Sequence, residues 1–222
     1  MVEPTSSRFK LRAENLSDLV FGLALSIGSV ILISNFPQNP SDLLNGIVLF
    51  GFSFLIVIWI WRGYTNTMAE IPVEVPGAFL LNVVLLFCVA IEPYLFYVVT
   101  RSQDLLQNAA SSAYGVDVAS MMFILAGLKY VVLSEQRKSA AQARPFQGGA
   151  YRRFIVAELI GGVIFAASAL PFFWTPTFSG DYLRFDVWYV AVAIVSVGLR
   201  MLPNRSGDRT ALEQPKVVKS GA

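Results

Sequence analysis

The sequence predicts an all-α membrane protein with six transmembrane helices in one chain. Its 222 residues are 55% hydrophobic and only 14% charged, whereas soluble domains carry about 25% charged residues. Several apolar runs approach the ~20 residues that a helix needs to cross the hydrocarbon core of a bilayer. The net charge of +2 is too small to indicate a nucleic-acid partner.

Apolar runs separated by prolines, charges and polar loops set the six predicted spans. They cover residues 16–36, 43–63, 76–99, 114–135, 153–174 and 183–202. The first run stops at Pro37 and the fifth before Pro176, because proline cannot continue a helix. The predicted organisation is an N-terminus (1–15), one six-helix domain (16–202) and a polar tail (203–222) expected to be disordered.

Basic residues predict which side of the membrane each loop faces. Lysine and arginine precede span one and are concentrated between spans four and five and in the tail, whereas the outer loops hold one or none. Since loops rich in lysine and arginine stay in the cytoplasm, both termini are expected there. The basic loop between spans four and five is also suited to binding anionic lipid head groups.

Three polar residues, Arg12, Ser17 and Asp18, mark the start of the first span. Serine and aspartate are typical of a helix N-terminus, where they accept hydrogen bonds from free backbone N–H groups. A carboxylate at membrane depth needs a partner. We therefore expect Asp18 to point toward the protein and to form an ion pair with Arg12 or, by preference, with Arg62.

The body of the first span carries a narrow apolar stripe. At ~100° per residue, Leu23, Ile27 and Val30 share one face of the helix, and Ser26 lies beside them. From periodicity alone, such a stripe usually indicates core packing or contact with lipid.

Spans two and three contain the other polar candidates. Trp59 and Arg62 stand near the end of span two and fit the membrane interface. Asn82 is expected to form a hydrogen bond between helices, and Pro93 is expected to kink span three. We expect Glu92, which precedes that proline, near the outer interface.

Charged residues near the span ends suggest two further features. Lys129 and Glu158 are expected on the cytoplasmic side, where they can pair. Five acidic residues are expected on the outer side, where they either form a vestibule that concentrates cations or are simply solvated: Asp42, Asp104, Asp117, Asp181 and Asp186.

Taken together, these stretches resemble the transmembrane protein 175 family of potassium channels. The segment from Arg12 to Asp18 resembles the Arg-x-x-x-Phe-Ser-Asp signature of the family's first helix, with Leu16 in place of phenylalanine. Span two has Trp59 and Arg62 where the family often carries Phe-Trp-x-x-His. Span three shares the Leu-Asn opening, here with Asn82, and a later proline followed by an aromatic residue.

The resemblance implies a potassium-selective leak channel of non-canonical fold in the plasma membrane of a prokaryote. It implies a homotetramer whose pore is lined by the first helix of each chain, with a constriction at Leu23, further layers at Ile27 and Val30, and a hydroxyl layer at Ser26. The only implied partners are the lipid bilayer and permeant K⁺, without a cofactor. The sequence lacks the Thr-Val-Gly-Tyr-Gly segment that forms the carbonyl filter of ordinary potassium channels.

Two other functional classes remain open. A secondary transporter usually has broken helices and internal repeats around a site at the midplane, and we detect no repeat. A non-conducting scaffold protein is also open, because every polar feature has a packing interpretation. The chain contains no histidine and one cysteine, so histidine-based catalysis is excluded, and we expect neither enzymatic activity nor a bound metal.

Overall fold

The computed structural model describes residues 5–34, 37–71, 76–101, 104–140, 148–174 and 183–200. Within these ranges the chain forms six α-helices and one short 3-10 helix, with no strand. The α-helices are α1 Thr5–Ser34, α2 Pro40–Met68, α3 Pro76–Arg101, α4 Asp104–Ala140, α5 Gly148–Ala167 and α6 Leu183–Arg200. The 3-10 helix, Pro171–Trp174, lies between α5 and α6.

The all-α prediction is confirmed for the described ranges, and four helices are long and apolar enough to cross a membrane. These candidate spans are Lys10–Ile31, Pro40–Met68, Gly77–Arg101 and Leu105–Lys138, in α1 to α4. Crossing by α5 and α6 and the cytoplasmic position of both termini stay predictions. The predicted tail 203–222 and the end of span six lie outside the described residues.

Most helix boundaries differ by a few residues from the predicted spans, and the largest differences are at the beginnings of α1 and α4 and at the end of α5. The helix α1 begins at Thr5 rather than Leu16, so Ser17 and Asp18 lie inside the helix and their predicted role as an N-terminal cap is wrong. The helix α4 begins at Asp104 rather than at residue 114. The helix α5 ends at Ala167, because Pro171 has no N–H to donate to the Ala167 carbonyl.

The helix α4 forms the centre of the bundle. It packs along α3 on one side and α5 on the other and also contacts α2, while α1 packs against α3 and α2, and α6 against α5. Its core positions recur at alternating spacings of four and three residues, which keeps one helix face buried. They are Tyr114, Val118, Met121, Leu125, Leu128 and Val132, each at most 1% exposed.

Glycine allows α4 and α5 to approach closely. A Cβ at Gly115 would lie 3.0 Å from the Phe165 carbonyl oxygen, and a Cβ at Gly162 would lie 2.6 Å from the Phe123 ring. Small residues are the usual means of close helix packing in membranes. The centre of the bundle is therefore tightly packed, whereas α1 lies at its edge.

Candidate functional site

The helix α1 has one buried face and one uncovered face. Ser17, Phe21 and Ala24 are at most 2% exposed and pack toward α2 and α3. Leu23 and Val30, by contrast, are 57% and 63% exposed. Core packing within the chain is therefore the wrong interpretation for the predicted stripe, and contact with lipid or with other copies of the chain remains.

Small and hydroxylated residues accompany this uncovered stripe, which also includes Ile27. Ser26 is exposed, and its hydroxyl donates to the Gly22 carbonyl oxygen at 2.8 Å. Apart from its chain neighbours and the nearby backbone of α1, no atom lies within 4 Å of the place that a Cβ would take at Gly22. Because the Ser26 hydroxyl donates its hydrogen within its own helix and the side chain is exposed, its oxygen lone pairs stay available as acceptors.

Ser17 joins α1 to α2 through a buried hydrogen bond. Its hydroxyl donates to the Ala13 carbonyl at 2.8 Å, and the Tyr64 hydroxyl lies 2.6 Å from the same oxygen. Since Ser17 has one hydrogen, already given to Ala13, Tyr64 is the donor in the second bond. The centroids of the Phe21 and Tyr64 rings lie 5.6 Å apart, and the Asn82 side chain of α3 also interacts with Tyr64.

The expected ion pair between Asp18 and Arg62 does not form. The carboxylate of Asp18 instead accepts a hydrogen bond of 3.0 Å from the Trp61 indole N–H. Neighbouring residues on a helix point ~100° apart, so α2 can present only one of Trp61 and Arg62 to Asp18. No ion pair joins Arg12 to Asp18 in the described residues either, since six residues along α1 place the two side chains on different faces.

The other residues predicted to support α1 differ in how far they are buried. Trp59 is half-buried and packs against the core, and Asn82 is buried with its side-chain oxygen unpaired. Arg62, Leu16 and Arg12 are exposed. The sequence did not single out Tyr64 or Trp61 as partners of Ser17 and Asp18, because both aromatic residues also fit the membrane interface.

Removing the Tyr64 hydroxyl tests whether its hydrogen bond to Ser17 holds α1 against α2. We expect Tyr64→Phe to lower the free energy of unfolding by about 1 kcal/mol, the usual net value of a buried hydrogen bond. Unfolding of the purified protein in detergent, followed by tryptophan fluorescence, provides the measurement. Tyr130→Phe is the matched control, because Tyr130 is 61% exposed and a surface change should stay within about 0.5 kcal/mol.

A double-mutant cycle separates this bond from general packing. Ser17→Ala and Tyr64→Phe together should cost less than the sum of the two single changes, by at least about 0.5 kcal/mol. Strict additivity would mean that the bond contributes nothing specific to holding α1.

Lys129 of α4 and Glu158 of α5 form a buried ion pair, as predicted. The two residues are 6% and 3% exposed. The Lys129 Nζ also lies 5.3 Å from the centre of the Phe154 ring. A Cβ at Gly63 of α2 would lie 3.7 Å from a Glu158 carboxylate oxygen, so three helices meet at this pair.

Two acidic residues expected at the outer interface are buried instead. Glu92 is fully buried, and one carboxylate oxygen accepts hydrogen bonds from Ser53 at 2.8 Å and Tyr114 at 3.1 Å. Asp117 is only 8% exposed, because it lies on the face of α4 that packs against the bundle, well inside a helix that begins at Asp104. Neither residue is therefore a solvated acid, and their position toward the outer side stays a prediction, while Asp181 lies outside the described ranges.

Arg184 is a second buried cation, at the start of α6. Its guanidinium donates to the backbone and side-chain oxygens of Asn108, each at 3.1 Å, and contacts the Ser111 hydroxyl. The Trp174 ring lies 5.5 Å away. These contacts attach α6 to the beginning of α4, and the sequence suggested only a basic loop residue at this position.

Neither the geometry nor comparison with other proteins identifies an enzyme or a metalloprotein. Among the residues that the structure describes, no three His, Cys, Asp or Glu side chains are arranged to hold a metal ion. No family model and no curated protein matches the chain. A functional assignment therefore depends on the residues of this chain.

Proposed function

We propose that the chain is one subunit of a potassium-selective leak channel, in which four copies surround a pore lined by α1. The observation that best supports this proposal is the uncovered stripe of α1. Leu23, Ile27 and Val30 are 40–63% exposed, although the opposite face of the same helix is anchored to the bundle. A pore-lining helix requires this division between an anchored face and a free face.

The stripe can act as a hydrophobic constriction. Four Leu23 side chains meeting on an axis would exclude water unless an ion passes, and such constrictions gate by dewetting. A passing cation must shed part of its hydration, and K⁺ holds its water less tightly than Na⁺. The Ser26 hydroxyl oxygens, which belong to an exposed side chain of α1, would replace some of the lost water ligands.

The buried face of α1 would determine the width of this constriction. The bonds from Tyr64 to Ser17 and from Trp61 to Asp18 attach α1 to α2 at 2.6 and 3.0 Å. In this proposal these residues orient the helix and do not contact the ion. The same proposal includes six crossings, cytoplasmic termini and residence in the plasma membrane of a prokaryote.

A secondary transporter is the second candidate, and one observation favours it. Buried carboxylates beside a proline inside a helix resemble the midplane sites of transporters, and Glu92 precedes Pro93 inside α3. A non-conducting scaffold remains the third candidate, because the uncovered face of α1 could also contact lipid.

Ion flux into liposomes that contain the purified chain tests the proposal. We expect passive K⁺ flux that exceeds Na⁺ flux and rises in proportion to the gradient, and a mass in detergent that corresponds to four chains. Saturable flux that depends on a second ion would support the transporter. Absence of flux from a well-folded oligomer would contradict both and support the scaffold.

A further inference from the structure

A polar cluster lies buried where α2, α3 and α4 meet. It consists of Ser53, Cys88, Glu92, Tyr114 and Asp117, and we call it the Glu92 cluster. Ser53 and Tyr114 donate hydrogen bonds to one oxygen of Glu92, and the Cys88 thiol interacts with the Asp117 carboxyl group. Nothing in the proposed pore uses these residues.

The carboxyl groups of this cluster have no cationic partner among the described side chains. The titratable groups that face them are Cys88 on α3 and Tyr114 on α4, while α2 contributes only the Ser53 hydroxyl. The buried cations of the described helices are engaged elsewhere, Lys129 with Glu158 and Arg184 with Asn108 and Ser111. Buried carboxylates without a counter-charge are strongly unfavourable, so these groups either take up a proton or bind a cation from outside the chain.

Two oxygens in the cluster are left unpaired. Glu92 Oε2 and Asp117 Oδ2 are buried and have no hydrogen-bond partner, and no hydrogen bond joins the two carboxyl groups in the described part of the chain. Glu92 pairs with Tyr114 and Cys88 with Asp117, so α3 and α4 run antiparallel here and place the two acids about one helical turn apart. The unpaired oxygens therefore lie in the same part of the bundle.

Further oxygen ligands are available at the same place. Pro93 lies inside α3 and has no N–H, so it cannot donate the helical hydrogen bond to the carbonyl of Val89. The Ser53 and Tyr114 hydroxyls keep lone pairs after donating to Glu92. Carboxylate, carbonyl and hydroxyl oxygens are ligands for hard cations.

A cavity gives access to the cluster from one end of the bundle. It has a volume of about 420 Å³ and is lined by residues of α1, α2 and α3, among them Gly28, Phe50, Ser53, Pro93 and Phe96. Asp42 and Arg101 also line it, near the ends of α2 and α3. The Ser53 side chain both lines this cavity and bonds to Glu92, so only one hydroxyl separates the cavity from the carboxylate.

We propose that the Glu92 cluster binds one alkali cation, Na⁺ or K⁺, in each chain. The ion enters through the cavity and contacts the free oxygens of Glu92 and Asp117. Since the described residues offer no group of three metal-ligating side chains, the site fits a monovalent ion better than a divalent metal. This proposal goes beyond the channel function and does not depend on a conducting pore.

Thermal unfolding of the full chain in detergent tests this site without a flux assay. Tryptophan fluorescence is measured in NaCl, KCl and choline chloride at equal ionic strength and constant pH. We expect Na⁺ or K⁺ to raise the unfolding midpoint by about 2–4 °C over choline, in a saturable manner, because an ion that binds only the folded state stabilises it. Comparing the two salts shows which ion is preferred.

Substitutions inside and outside the Glu92 cluster show whether the cation-dependent shift arises at this site. Glu92→Gln and Asp117→Asn should each abolish the cation-dependent shift, whereas Asp186→Asn, which changes an exposed acid of α6, should retain it. Leu23→Ala should also retain it, which separates this site from ions in the proposed pore. Equal midpoints of the wild-type protein in all three salts would overturn the proposal, even if no variant folds. An unfolding midpoint that changes with pH but not with the choice of salt would overturn the proposal as well, because the carboxyl groups would then share a proton.

Discussion

Leu23→Ala is expected to raise cation flux through the reconstituted protein about tenfold and to weaken its preference for K⁺ over Na⁺. The proposed constriction blocks ions because four apolar side chains exclude water at the axis. Shortening them widens the pore and lets water enter. A barrier lowered by ~1.4 kcal/mol corresponds to about a tenfold increase in rate.

A matched substitution distinguishes a pore residue from any lipid-facing leucine. Leu55 of α2 is 58% exposed and Leu23 is 57% exposed, so Leu55→Ala makes the same chemical change at equal exposure. We expect its flux and ion preference to equal those of the wild type. Equal fluxes from all three proteins would show that Leu23 does not form a constriction, and equal increases in both variants would indicate a general leak.

Lys129→Met is expected to have the largest effect on stability. It leaves Glu158 as a buried carboxylate without its partner, and breaking a buried ion pair in this way costs about 3–5 kcal/mol. Loss of free energy of unfolding in detergent is the measurement. Lys138→Met serves as the control, because the Lys138 side chain is 72% exposed in its pair with Glu135 and an exposed pair contributes only about 0–1 kcal/mol.

The double variant Lys129→Met with Glu158→Gln tests the physical reason. Removing both charges leaves no uncompensated ion, so we expect it to recover most of the stability that the single change loses. If the double variant is as unstable as Lys129→Met, the damage comes from lost packing around Phe154 and Gly63 rather than from the unpaired charge.

The helices and the pair of Lys129 and Glu158 were predicted from the sequence, whereas the end of α5 was not. The apolar runs predicted six helices because length and hydropathy are local properties that do not depend on neighbouring helices. The end of α5 was placed too late because the run stays apolar up to Trp174, whereas Pro171 and the turn before it terminate the α-helix. The pair of Lys129 and Glu158 was expected from charge and span position, which a sequence also contains.

Partners in the candidate site were harder to predict. Asp18 was expected to form an ion pair with Arg62 because oppositely charged side chains usually pair. The rotation of α2 instead places the Trp61 indole against Asp18. Glu92 and Asp117 were expected near an interface, where acids are usually solvated, but both are buried. Neither error could be avoided without knowing how α2, α3 and α4 pack.

The sequence by itself determined that this chain is helical, that its helices are apolar enough for a membrane, and that Leu23, Ile27 and Val30 share one face of α1. These properties follow from composition and from the helical period. Only the tertiary structure decided that this face is uncovered while Ser17 is buried, and that Glu92 and Asp117 are both buried in the interior. The rotation of each helix about its axis decides which side chains meet, and that rotation is set by the packing of all the helices together.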